Sequence, residues 1–424
     1  MRKYTETIIC SSLALLIGIV IGITSGFFGQ ALHFAEEFRQ HHYIFIVPFL
    51  GFAGLLILYI YKKFSPESEQ GLDLAIAYNM GKVDTNGKIK NFGNRQKTGK
   101  YPKPYALLKL FSNFTMLLFG ASTGKEGSFA AFGAAIGDYV SRIFKSRKYS
   151  RTLLMCGVSA ALSGLFQTPM GGVFFALEFT ASGIMSYSAL LPVVISSYCA
   201  LLFSRLCGYT AFSHTVSANL TTDYKNIILL ILCAIIFGLI GKLFAIIISK
   251  THSLYNEKVK NRYKWIFITG SVMAVIFIFV NDGRYCGTGA NILSDLFLNS
   301  NFNLYDFALK FVFTIICITV GFSGGEMMPL LTIGATLGAT LSYILGLPLE
   351  LTAAIGCVAL YSSATNTLIA PIFIGIEMFG TDIALYIALS CVLAYAINQN
   401  HSVYSMQGRL EPWVYGKLKS LKKR

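Results

Sequence analysis

The chain has 424 residues, of which 54% are apolar and 13% charged, about half the charged share of a soluble domain. That composition excludes a water-soluble globular fold and points to an all-α, polytopic membrane protein, because only helices and closed barrels satisfy their own backbone in lipid. The formal net charge of +15 raises nucleic acid as a partner, but the basic residues sit between apolar runs, where they read as membrane flanks.

In chain order, 8–28 and 43–61 are the first runs that approach the ~20 apolar residues a bilayer core requires. The first follows Arg2 and Lys3, as a signal peptide would. It is long, has no A-x-A-like cleavage site and is succeeded by further spans, so it reads as a retained helix. A polar loop at 80–103 then carries Lys82, Lys88, Lys90, Arg95, Lys97, Lys100 and Lys103. Further apolar runs occupy 226–249, 265–280, 307–320 and 379–397. Lys250, Lys258, Lys260, Arg262 and Lys264 form a second basic segment, and Lys417, Lys419, Lys422, Lys423 and Arg424 a third, whereas 207–224 and 298–306 contain no Lys. The positive-inside rule therefore predicts cytoplasmic termini. Nine cysteines without a C-x-x-C pair and six histidines without ligand spacing imply no metal and no cofactor.

The chain also repeats itself. Gly157 through Pro169 to Glu178 and Gly356 through Leu368 to Glu377 have the same 21-residue spacing from Gly to Glu, with Gln167-Thr168 facing Asn366-Thr367. Upstream, Gly124-Lys125-Glu126 with Gly133-Ala134 and Gly137 faces Gly324-Gly325-Glu326 with Gly334-Ala335 and Gly338. The first half begins beside Arg2 and Lys3, while the run 226–249 follows the Lys-free segment and ends at a basic one, so the copies run in opposite senses. Residues 1–210 are expected to form one repeat, 222–400 its inverted partner and 401–424 a terminal segment with a basic tail, with no separate soluble domain. Inverted repeats place a binding site near mid-membrane, between broken helices.

Gly120-Ala121-Ser122-Thr123-Gly124-Lys125-Glu126-Gly127-Ser128 is not a phosphate loop, which needs four residues between its glycines and Ser or Thr after Lys. Its glycines interrupt an apolar stretch just before the helical pattern of Phe129 to Ile143. Free N–H groups at such a helix start can hold an anion. A Glu there competes with the anion for the same donors, which is useful if the carboxylate swings in and out.

This stretch resembles the G-[RK]-E-G-P motif of the CLC family of anion channels and anion/proton exchangers, with Ser128 in place of Pro. Thr168 to Glu178 resembles the family's next helix, Gly321 to Pro329 its G-x-F-x-P motif, and Tyr404 its central tyrosine. The likeness covers nearly the whole chain. It implies a CLC-type fold of two inverted repeats with broken helices meeting at a mid-membrane anion site, in a homodimer of the cell membrane. It further implies Glu126 as gating glutamate and proton carrier, Glu326 as second carboxylate, and Gly71, Leu72, Gly127, Ser128, Met327, Met328 and Tyr404 around the anion.

Departures from the pattern indicate the branch. Glu69-Gln70-Gly71-Leu72-Asp73 replaces G-S-G-I-P, so the serine ligand is lost, and Phe179 replaces the second Glu that proton-coupled chloride exchangers carry. With Glu326 inside the third motif, these features resemble the bacterial fluoride/proton antiporter branch. Met328, which offers no hydroxyl, points instead to chloride, through a channel or a chloride/proton exchanger. Glu178 and Glu377, at the ends of apolar runs, read as caps or interface groups. No His, Ser and Asp arrangement supports an enzyme, and the expected partners are a halide, protons and the bilayer.

Overall fold

The computed structural model describes residues 2–79, 101, 102, 104–181, 185–217 and 224–408. The lysines and arginine of the basic loop and of the C-terminal tail lie outside them. Among the described residues the secondary structure is helical apart from two isolated bridges. The first half comprises α1 (Arg2–His41), α2 (Tyr43–Ile46), α3 (Leu50–Phe64), α4 (Leu72–Asn79), α5 (Tyr105–Leu118), α6 (Glu126–Ile143), α7 (Ser150–Phe166), α8 (Pro169–Glu178) and α9 (Leu190–Leu206). The second comprises α10 (Tyr224–Lys258), α11 (Arg262–Phe279), α12 (Ala290–Asn299), α13 (Asp306–Val320), α14 (Met327–Leu345), α15 (Leu349–Thr365), α16 (Ile369–Phe379) and α17 (Ala384–Asn398).

Among the described residues six helical stretches are long and apolar enough to cross a bilayer: Thr7–His41, Tyr43–Phe64, Tyr187–Leu206, Tyr224–Lys258, Arg262–Phe279 and Met327–Leu345. The protein is thus a multi-pass membrane protein. α10 exposes Ile228, Ile231, Leu232, Leu239 and Leu243, a face that lipid solvates and water would not. The apolar runs 307–320 and 379–397 differ from the expectation of full spans. They form α13 and α17, each of 15 residues, about 22 Å of helix against a core of about 30 Å. Gly380, at φ +95°, ends α16 inside the second run. Hydropathy does not separate a side chain buried in protein from one buried in lipid, so the run 379–397 reads as longer than the helix it forms.

Glycine contacts set the core. α6 crosses α7 where Gly133 and Gly157 meet; a Cβ on Gly133 would lie 2.2 Å from the Gly157 carbonyl oxygen, and one on Gly157 1.9 Å from that of Gly133. α14 crosses α15 in the same way, with 2.2 Å for Gly334 and 2.4 Å for Gly356. Small residues let membrane helices approach until backbones touch. α7 and α15 then end alike, on Gln167 (φ 56°) and Asn366 (φ 55°) in the left-handed conformation.

Just beyond those turns the halves exchange carboxylates. Glu178, at the end of α8, accepts from Ile369 N and Ala370 N at 3.1 Å, at the start of α16. Glu377, near the end of α16, accepts from Met170 N and Gly171 N at 2.9 Å, at the start of α8. Of the two readings the sequence left for these residues, each is therefore a cap, supplied to the other repeat's helix. A carboxylate at a helix N-terminus satisfies orphan N–H groups and meets the positive end of the helix dipole.

Candidate functional site

The two glycine motifs meet at the centre. Gly124 N donates to Gly325 O (2.5 Å) and Gly325 N to Gly124 O (2.8 Å), and Asn113 of α5 donates to Gly124 O at 3.1 Å. Gly127 approaches the same strand of backbone so closely that a Cβ would lie 2.8 Å from Gly325 Cα. Two helix starts, Glu126 of α6 and Met327 of α14, are thereby held side by side with their free N–H groups together.

Glu126 is 0% exposed, and neither carboxylate oxygen has a well-formed hydrogen bond; the N–H of Met328 faces it from the start of α14. Ser128 is buried with its hydroxyl unbonded. Met327 and Met328 are buried beside it. Glu326 is half-buried and faces the Tyr404 hydroxyl, which in turn faces that of Tyr361. The structure thus brings Glu126, Glu326, Gly127, Ser128, Met327, Met328 and Tyr404 to one locus.

Gly71 and Leu72 open α4 on the side of the basic segment that starts α11. The Tyr105 hydroxyl lies 2.7 Å from Gln70 O and 3.3 Å from Gly71 O, and nothing lies within 4 Å of where a Gly71 side chain would begin. Asp73, one residue on, accepts from Ser405 Oγ (2.7 Å) and Met406 N (3.2 Å), so α4 and the Tyr404 segment are joined directly. The Tyr404 ring packs edge-on against Phe175, which stacks on Phe179. Phe179 is thus an apolar wall at the position where a proton-accepting Glu was missed in the sequence.

On the other side a cavity of about 440 Å³ is lined by Glu36, Lys125, Tyr209, Asn291 and Met328 among others. Lys125 donates to the Tyr209 hydroxyl at 3.2 Å, which donates to Leu165 O at 3.1 Å. The cavity reaches Lys125, next to Glu126, and Met328 of the facing helix start, while Glu126 itself stays covered. Sequence reasoning missed Tyr209, Tyr361 and the clamp by Asp73. The last was quoted within its motif, but its partners lie 332 and 333 residues away.

A family profile described as "Voltage gated chloride channel" matches residues 53–399. The chain belongs to the CLC family. Among relatives of this CLC protein, a chloride/fluoride channel protein of Pseudomonas syringae pv. tomato is 29% identical over 405 residues, covering 93% of this chain and 85% of the relative. An H(+)/Cl(-) exchange transporter, ClcA of Vibrio vulnificus, is 26% identical, covering 86% and 81%. Among solved structures, a CLC-type fluoride/proton antiporter superposes with TM-score 0.90 at 32% identity, covering 96% of this chain and 99% of that one. A slow cyanobacterial Cl-/H+ antiporter, at 18% identity and TM-score 0.80, shares the fold. The all-helical CLC-type architecture expected from the motifs is the one observed, and membership places this CLC chain among transporters of ions.

Proposed function

We propose that the chain exchanges fluoride for protons across the cell membrane, expelling fluoride that enters as its neutral acid and is trapped at cytoplasmic pH. The observation that supports it is Glu126, a fully buried carboxylate without a well-formed hydrogen bond, placed where two helix N-termini converge. Such a group competes with an anion for the same donors and carries a proton when displaced. Its neighbours Gly127, Ser128, Met327 and Met328, with Gly71 and Leu72 and the Tyr404 hydroxyl, surround the anion. Glu326, facing that hydroxyl, is the second proton-binding carboxylate. The protein performs transport and no catalysis, as a homodimer with a pore in each subunit and both termini cytoplasmic.

Fluoride is small and strongly hydrated, so its site needs close donors more than a wide serine-lined cup. The loss of the serine at Gln70-Gly71-Leu72 and the Gly325-Glu326 sequence suit it, as does the close likeness to a CLC-type fluoride/proton antiporter. Met328, which offers no hydroxyl, favours the second reading, passage of chloride through the same pore. Liposomes loaded with both halides separate the two: fluoride should leave faster than chloride, with a proton moving inward as it does. Equal efflux rates would sink the fluoride assignment and leave the transporter standing; halide flux that moves no protons would favour a channel.

Glu326 has its own expected result. Glu326→Gln should slow halide turnover several-fold while leaving the thermal midpoint in detergent unchanged, because Gln keeps an acceptor for Tyr404 but cannot release a proton. Normal transport by that variant would return Glu326 to a structural role.

A further inference from the structure

The mouth at Gly71 lies between two pieces of backbone that come from opposite ends of the chain. One is the opening of α4, held from α5, where the Tyr105 hydroxyl bonds Gln70 O at 2.7 Å and Gly71 O at 3.3 Å. The other is the segment 402–408, held from α15 and from the turn after α8. Val403 N donates to Ala364 O at 2.9 Å and Gly408 N to Thr180 O at 3.0 Å, and Ser402 Oγ and Gln407 Nε2 both donate to Thr365 O at 3.2 Å. Tyr404, in the middle of that segment, turns its hydroxyl to Glu326 and Tyr361.

Asp73 joins the two walls. It stands in the first turn of α4, with one carboxylate oxygen 2.7 Å from Ser405 Oγ and the other 3.2 Å from Met406 N, the two residues that follow Tyr404. In the G-S-G-I-P pattern this place is a Pro, whose side chain accepts no hydrogen bond, so the tie comes with this chain's departure from the pattern. Both oxygens are taken by donors, unlike those of Glu126. Hydrogen bonds to a charged group are the stronger kind, so losing both favours the parted state about ten-fold or more. Asp73 also feels the charges of His252 on α10 and of Glu326. Asn separates that charge from the bonds, because its amide oxygen can accept from Met406 N while its amide nitrogen donates to Ser405 Oγ.

We propose that Asp73 is the positioning residue of Tyr404: it bolts the Tyr404 segment to α4, so that the mouth at Gly71 stays shut behind the halide while the proton moves. This rests on reading the chain as a halide/proton exchanger, in which an anion that finds both sides open crosses without its proton. With the bolt cut, the Tyr404 hydroxyl leaves Glu326 for part of the time and halide slips through uncoupled. Asp73 carries no proton and touches no anion; it acts through Tyr404.

The test uses the full-length protein in liposomes loaded with fluoride and chloride, with halide electrodes and a pH probe read together, beside hydrogen exchange of 402–408 in detergent. Asp73→Ala should raise halide efflux unaccompanied by protons about ten-fold, lower the proton-to-halide ratio, and speed exchange of the 402–408 amides about ten-fold. Asp73→Asn should stay within about two-fold of wild type in all three. If Asp73→Ala does not fold, Ser405→Ala stands in; it loses the shorter bond at an exposed residue and should leak several-fold more than wild type. Wild-type coupling in folded Asp73→Ala, or in Ser405→Ala where that stands in, overturns the proposal even if exchange has quickened, since Asp73 would then be a structural tie only. Equal loss of coupling in Asp73→Asn and Asp73→Ala overturns it too, because the charge or a proton on Asp73 would then be what acts. Wild-type protein that moves halide without protons would sink the exchanger reading instead; the bolt is then judged by total halide efflux, which Asp73→Ala should raise and Asp73→Asn should not.

Discussion

Glu126→Gln should abolish halide-driven proton pumping. The substitution is nearly isosteric, and neither carboxylate oxygen makes a well-formed hydrogen bond that Gln would lose, so α6 should keep its place and the thermal midpoint its value. What disappears, on the proposed function, is the group that binds a proton inside the pore and gives it up on the other side. A halide gradient across liposomes containing the variant should drive no uphill proton movement on a pH probe, while the halide electrode reports whether anions still pass. Proton pumping that survives in Glu126→Gln would remove this residue from the mechanism.

Gly133→Val and Gly334→Val should each cost about 3 kcal/mol or more, a large fraction of the 5–15 kcal/mol that holds a typical domain together. The atoms in the way are carbonyl oxygens of the facing helix, 2.2 Å from the new Cβ in both cases, and backbone cannot rotate aside as a side chain can. α6 and α7, or α14 and α15, must part. Since Gly133 lies two turns along α6 from Glu126, the separation also displaces the gate. Fluorescence-detected size-exclusion chromatography after heating should show little monodisperse protein for either variant. A midpoint within about 2 °C of wild type would mean that the crossing is looser than its geometry.

Much of this was legible because glycine carries geometry on its own. Gly133 and Gly137 and their counterparts Gly334 and Gly338 are spaced alike in the two halves because each marks a backbone contact that tolerates no side chain. The equal Gly-to-Glu distances held for a related reason: each Glu must reach the helix start that opens just past the left-handed turn in the other copy. Contacts between distant elements left no such trace. Asp73 bonding Ser405 and Lys125 bonding Tyr209 join residues with no period between them. Span length misled at 379–397, where the run takes in the end of α16 and the turn at Gly380, because buried helices of the core are as apolar as helices in lipid.

The paired backbone bonds between Gly124 and Gly325 have a bearing on speed. Many transporters with inverted repeats expose their site alternately by rocking one half against the other, a collective motion of microseconds to milliseconds. Here the two loops that would have to part are tied by two peptide hydrogen bonds, with Gly127 wedged against the same backbone, so the halves are clamped at the place proposed for the ion. Opening then falls to rotation of single side chains, which are intrinsically fast. On the proposed exchange, changes to solvent or ion should therefore alter the rate more than changes that stiffen the scaffold.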